Sequence, residues 1–141
     1  MNIEELTTVV VDTGFHLHKD LGPGLLESVY ECLMAELLKQ RGLSVERQKR
    51  VSFEYQGLRF DDGLRVDLMI NDLLVIELKS VEAVAPVHRK QLLTYLKLLH
   101  QPVGLLLNFG CATFKEGCQR VVNDHRNLAS SRLSINQAGH V

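Results

Sequence analysis

The strongest constraint in this chain is a pair of apolar runs, Leu64-Arg65-Val66-Asp67-Leu68-Met69-Ile70 and Leu73-Leu74-Val75-Ile76-Glu77-Leu78-Lys79, on either side of a turn at Asn71-Asp72. Runs of this length and character read as two neighbouring strands buried in a sheet. Asp67, Glu77 and Lys79 lie inside them, where a charge is costly unless it is paired, hydrogen-bonded or bound to a metal. Glu77 and Lys79 are two apart and therefore share a strand face. The partner of Asp67 depends on the loop. A three-residue loop, 71–73, sets Asp67 directly opposite Glu77. A two-residue loop pairs it with Ile76 and sends Glu77 to the other face, unless a bulge restores the register. Like charges directly opposite repel, and a divalent cation between them is the simplest way to turn that repulsion into attraction.

Around this pair the rest of the chain falls into recognisable elements. Leu6, Val9, Val10, Thr13 and Leu17 recur at helical spacing from Ile3 to about Lys19, and Leu21-Gly22-Pro23-Gly24 punctuates the end. Leu26, Tyr30, Leu33, Met34, Leu37 and Leu38 form the stripe of a second helix that stops near Gly42. Residues 45–55 read as a strand with Val51, Phe53 and Tyr55 on one side, Gln56-Gly57 as a turn, and Phe60-Asp61-Asp62-Gly63 as an edge hairpin. Pro86 opens a helix carrying Leu92, Leu93, Leu96 and Leu99. Residues 103–109 form a short apolar strand covered on both faces. Periodicity fades after Arg120, and the segment 126–141, rich in Ser, Asn and Gln, reads as a flexible polar tail following a single domain over 1–125. The predicted order is helix, helix, three or four strands, helix, strand.

Composition excludes more than it selects. A chain of 141 residues with a formal charge of -1 has no global attraction to a polyanion, so nucleic-acid binding would need local clusters of Lys and Arg. Three cysteines, Cys32, Cys111 and Cys118, show neither a CxxC pair nor metal-ligand spacing, which argues against a disulfide scaffold or zinc knuckle and for a cytoplasmic protein. No secretory start, membrane-length apolar run, phosphate-binding glycine loop or serine elbow is visible.

Further polar residues fall on faces where they join the first three. Glu27, in the opening turn of the second helix, lies three residues before Tyr30 and so on the core-facing stripe. Gln91 and Tyr95 are i and i+4 on the late helix, with His88 one turn earlier near the same face. Asp, Glu and Lys in this order suit metal-assisted phosphodiester hydrolysis. Hard oxygen ligands suit Mg²⁺, with Mn²⁺ as a substitute, and such ions keep open positions for a substrate phosphate. Lys79 beside them is the candidate to orient the attacking water or stabilise the transition-state charge.

Arg65-Val66-Asp67 followed by Ile76-Glu77-Leu78-Lys79 resembles the signature of the PD-(D/E)XK nuclease superfamily, with Val66 in the place of the proline. Gly24-Leu25-Leu26-Glu27-Ser28-Val29-Tyr30 is similar to the motif that names the GxxExxY family within it, and Gln91-Leu92-Leu93-Thr94-Tyr95 to the QxxxY motif of its RecB-like members. The likeness runs from about Leu6 to Arg120. It implies an α/β fold with a restriction-endonuclease-like core in the order αβββαβ, a central mixed sheet flanked by helices. It also implies Glu27, Asp67 and Glu77 as ligands of a divalent metal, Lys79 as the catalytic lysine, and Gln91 and Tyr95 as supporting residues near the substrate.

The expected activity is Mg²⁺-dependent hydrolysis of nucleic acid, DNA ahead of RNA. The alternatives are a catalytically silent module of the same fold that binds nucleic acid or a protein, and a homodimer whose second subunit completes the groove. Arg47, Lys49, Arg50, Arg59 and Arg65, with Arg89 and Lys90, form either a phosphate-binding surface or an ordinary solvated face. His16 and His18, two apart on a helix, do not share a face and form no metal site. Cys111 and Cys118 read as buried small apolar residues beside a hairpin, and Asn108 as the partner of backbone groups.

Overall fold

The computed structural model describes residues 1–123, and the segment 126–141 lies outside them. Its elements are α1 (Ile3–Leu21), α2 (Glu27–Gln40), β1 (Val45–Tyr55), β2 (Leu58–Ile70), β3 (Leu74–Lys79), α3 (Pro86–Leu99), β4 (Val103–Asn108), α4 (Phe114–Gly117) and β5 (Cys118–Val122). The strands form one sheet in the order β1-β2-β3-β4-β5. β3 and β4 are parallel, and the other neighbours are antiparallel. This is the expected mixed α/β sheet, with three strands before α3 and, after it, one strand more than the sequence indicated: β5 pairs along β4 as an edge.

Helices cover both faces. Leu6, Val10 and Leu17 of α1 and Tyr30, Met34, Ala35 and Leu38 of α2 pack on Leu68, Ile70, Leu74, Ile76, Leu78, Leu105 and Leu107. On the opposite face Leu92 and Leu96 of α3 pack on Val66, Met69, Val75, Leu106 and Val121. All six residues of β4 are buried, as expected of a central strand between two layers. Both α1 and α3 begin with local caps. Asn2 and Glu5 form a reciprocal capping box, and the His88 Nδ1 accepts the Ala85 N–H at 3.2 Å just before Pro86.

The β2–β3 loop is the three-residue one. Asn71 and Asp72 take left-handed conformations (φ 51° and 53°), which these two residue types tolerate, and the Leu73 N–H closes onto the Ile70 carbonyl at 2.9 Å. Ile70, Met69 and Leu68 therefore pair with Leu74, Val75 and Ile76. Continuing that register brings Asp67 opposite Glu77.

The expected edge hairpin at 60–63 does not form. β2 runs unbroken from Leu58, and the chain reverses once, at Gln56-Gly57. Asp61-Asp62-Gly63 is instead extra length on β2, absorbed where the β1–β2 register shifts between Val51 and Phe53, with Asp62 left-handed (φ 54°). Asp-Asp-Gly suits a bulge as well as a turn, because either can hold an aspartate at positive φ, as Asp62 is held here. A Cβ at Gly63 would come within 2.5 Å of the Phe53 ring, so the bulge also needs the absent side chain.

Candidate active site

The segment that places Glu27 is held from behind by Tyr30. Tyr30 is fully buried and stacked on Phe109, with ring centroids 4.6 Å apart. Its hydroxyl donates to the Gly22 carbonyl at 2.5 Å and accepts the Leu25 N–H at 3.3 Å. Gly24 between them has φ +119°, a conformation L side chains rarely adopt. The Ser80 hydroxyl ties the same loop to the end of β3 by donating to the Leu25 carbonyl at 2.6 Å. Gly24, Glu27 and Tyr30 thus act as one device: a turn, an acid on the first helical turn, and an anchor that fixes both.

Asp67 and Glu77 lie where the sheet opens. β2–β3 pairing ends at Leu68 and Ile76, and the carboxylates replace ladder carbonyls. The Leu78 N–H donates to Asp67 Oδ2 at 2.9 Å, and the Asp67 N–H donates to Glu77 Oε1 at 3.3 Å. In–out alternation also slips here: Val66 and Met69 pack on the α3 side, Leu68 and Ile70 on the α1–α2 side. Opposite Asp67, Gln48 is left-handed (φ 49°), a strained state for a side chain without glycine's freedom.

One polar cavity of about 470 Å³ is lined by Glu27, Asp67, Glu77, Lys79, Gln91 and Tyr95, together with Arg50, Arg65 and the bulge at 62–64. The fold therefore brings every sequence-predicted site residue to one cleft. Gln91 donates to the Tyr95 hydroxyl at 3.2 Å, so the pair presents a single hydrogen-bonded edge. Burial pushes the Glu77 carboxyl from its ordinary 4.5 up to about 9, helped by the Asp67 charge and by a side-chain hydrogen bond between the two acids, while Lys79 opposes the rise. Partial burial also raises Glu27. Lys79 counteracts this, Asp67 and Glu31 add to it, and His88 lowers it slightly.

Two contributors were missed from sequence. Glu31, buried at 6% exposure, pairs with Arg47 at 3.1 Å. Gln48 donates to Glu31 Oε1 and, at 3.1 Å, to Asp67 Oδ1, linking the helix acid to the strand acid. Glu31, Met34, Ala35 and Leu38 follow the i, i+3, i+4, i+7 rule, so Glu31 was recoverable as an inward-facing position. The left-handed Gln48 carries no comparable signal.

Other expectations resolve locally. Asn108 is fully buried and serves backbone: its Oδ1 accepts from Val81 and Gly110, and its Nδ2 donates to the Val81 carbonyl. His18 bonds the Cys111 carbonyl, and His16 pairs with Asp12. Cys111 and Cys118 are half-buried, short of the full burial expected. Of the basic set, Arg47, Lys49 and Arg59 are engaged by Glu31, by Glu46 and Asp72, and by Asp61. Arg89 contacts Gln119 and the Arg120 carbonyl.

Comparison with known families bears on this geometry. The model of the PD-(D/E)XK nuclease superfamily matches residues 4–121. The chain belongs to the PD-(D/E)XK nuclease superfamily. No curated protein matches the chain, and no solved structure does. PD-(D/E)XK nucleases generally use divalent metals and act on nucleic acid. The donor set of this member fits such an ion, being carboxylate oxygen: Glu27, Asp67 and Glu77 line one cleft, and the charge of Asp67 beside Glu77 is one that a cation would offset. Among the described residues no three His, Cys, Asp or Glu side chains are gathered into a ready-made cage. No helix of the described residues is long and apolar enough to cross a membrane.

Proposed function

We propose that this protein is a Mg²⁺-dependent nuclease of the GxxExxY family, hydrolysing phosphodiester bonds of nucleic acid, DNA ahead of RNA, in the cytoplasm. The observation that carries the reading is the single cleft shared by Glu27, Asp67, Glu77, Lys79, Gln91 and Tyr95. Asp67 and Glu77 are the protein's direct metal ligands, and Glu27, on the facing helix, completes the acidic wall. Mg²⁺ normally takes only one or two protein carboxylates and fills its remaining positions with water and phosphate, so the absence of a tight three-acid cage among the described residues is compatible with this assignment. When bound, the ion supplies an acidified water and withdraws charge from the phosphoryl oxygens.

The chain's own groups do the rest. Leu78 N–H and Gln48 hold the Asp67 carboxylate from two directions, fixing its orientation before substrate arrives. Lys79, on the same face of β3 as Glu77, orients the attacking water and stabilises charge on the phosphate in the transition state. The Gln91–Tyr95 edge positions the substrate backbone from the α3 side.

The test is cleavage of labelled DNA and RNA by the purified chain with Mg²⁺ or Mn²⁺, beside Lys79→Ala and Asp67→Asn. Cleavage lost in both variants with the fold intact is the expected result; no cleavage by wild type, or equal cleavage by Lys79→Ala, overturns it. The silent-module reading has the uncaged acids on its side. Calorimetric titration with Mn²⁺ decides, since no heat in wild type, or heat unchanged in Asp67→Asn, favours that reading.

A further inference from the structure

Arg50 and Arg65 are direct cross-strand partners on the β1–β2 hairpin. Like charges placed opposite each other in a sheet destabilise it, and every other described arginine has a carboxylate or a hydrogen-bond acceptor. Among the described residues Arg50 and Arg65 have neither, and both are exposed. Both also line the cleft that holds Asp67, Glu77 and Lys79. Asp62 lies in the same wall, but it forms no ion pair with either of them. Two unneutralised guanidiniums, each able to present a planar fork of donors, match an anion with several oxygens held between them.

We infer that Arg50 and Arg65 form a two-sided clamp for a backbone phosphate next to the one being cleaved. This rests on the nuclease reading and extends it to substrate positioning. Arg65 precedes Asp67 by two residues, about 7 Å along a strand, so the clamped phosphate belongs to a neighbouring nucleotide rather than to the one at the carboxylates. The bulge at Asp61-Asp62-Gly63 interrupts the β1–β2 register beside this pair, and Asp62 and Gly63 line the same cleft. The clamp reads the phosphate backbone and not the bases, so it sets register and orientation without sequence preference.

The experiment measures binding of a fluorescein-labelled DNA duplex by anisotropy in EDTA across a salt series, for wild type, Arg50→Ala, Arg65→Ala, the double alanine variant and the double lysine variant. Each alanine should weaken binding about tenfold and flatten the slope of log affinity against log salt by about 0.9. The lysine pair should recover the slope but not the affinity, because charge returns without the fork. Thermal melting provides a readout that does not depend on nuclease activity. Without phosphate the double alanine variant should melt no lower than wild type, and millimolar inorganic pyrophosphate should raise the wild-type midpoint alone.

Unchanged affinity and slope in the double alanine variant, with cleavage preserved, overturns the clamp and leaves the nuclease reading standing. Equal pyrophosphate stabilisation of both proteins also overturns it. Arginine-dependent binding by a wild type that cleaves nothing keeps the arginine pair as a phosphate site but overturns its place beside a scissile phosphate, together with the nuclease reading.

Discussion

Replacing Glu77 with glutamine isolates the electrostatic cost of assembling this site. In the metal-free protein the Glu77 carboxyl is raised from 4.5 to about 9, so between those pH values the folded chain holds a proton that the unfolded chain releases. The sign follows from the direction of the shift. Stability from this group is complete below pH 4.5, falls as pH rises, and is fully lost above about pH 9. At about 1.4 kcal/mol per pH unit, the loss reaches up to about 3 kcal/mol at pH 7 and about 5 kcal/mol at pH 8. A glutamine side chain has nothing to titrate and still offers an acceptor to the Asp67 N–H. Urea unfolding in EDTA should therefore find Glu77→Gln nearly level with wild type at pH 5, within about 1 kcal/mol, and more stable than it by several kcal/mol at pH 8. All other titrating groups are common to both chains, so the difference reports Glu77 together with its coupling to Asp67. Stability curves that run parallel from pH 5 to 8 would refute the reasoning.

Three further outcomes follow from the packing. Tyr30→Phe removes the hydroxyl that holds Gly22 and Leu25, costing about 1 kcal/mol of stability in chemical denaturation; cleavage rate should fall by more than that loss explains, because Glu27 is on the freed segment. Asn108→Ala leaves the Val81 and Gly110 N–H groups without their acceptor and should destabilise the fold by about 2–3 kcal/mol, read as a lowered melting midpoint. Gln48→Ala cuts the link between Glu31 and Asp67 and should weaken Mn²⁺ binding about tenfold by calorimetry, with a change in melting midpoint of only a few degrees.

Much of the site was legible because its residues break local patterns. Asp67, Glu77 and Lys79 stand out against apolar neighbours, and the even spacing of the two acids allowed only two registers. The asparagine and aspartate of the loop then adopted the conformations that select the one placing the acids opposite each other. Glu27 and Tyr30 were legible as one helical stripe. What stayed hidden depends on backbone geometry that residue type does not encode. Gln48 is left-handed because its surroundings hold it there, and glutamine has no preference for that state. Asp61-Asp62-Gly63 has the composition of a turn, and only the register of β1 against β2 makes it a bulge. β5 escaped notice because an edge strand buries one side only, and Val121 is its one fully covered residue.

The gap between β2 and β3 is propped open by the side chain of Asp67, whose oxygen takes the place a main-chain carbonyl would hold on Leu78. A valine there would remove the prop and invite the two strands to zip shut, so loss of the carboxylate and gain of a tidier sheet are one and the same change. On the proposed nuclease reading, selection for sturdiness alone would erase the reaction, and a relative carrying an aliphatic residue here is expected to be both inert and harder to melt.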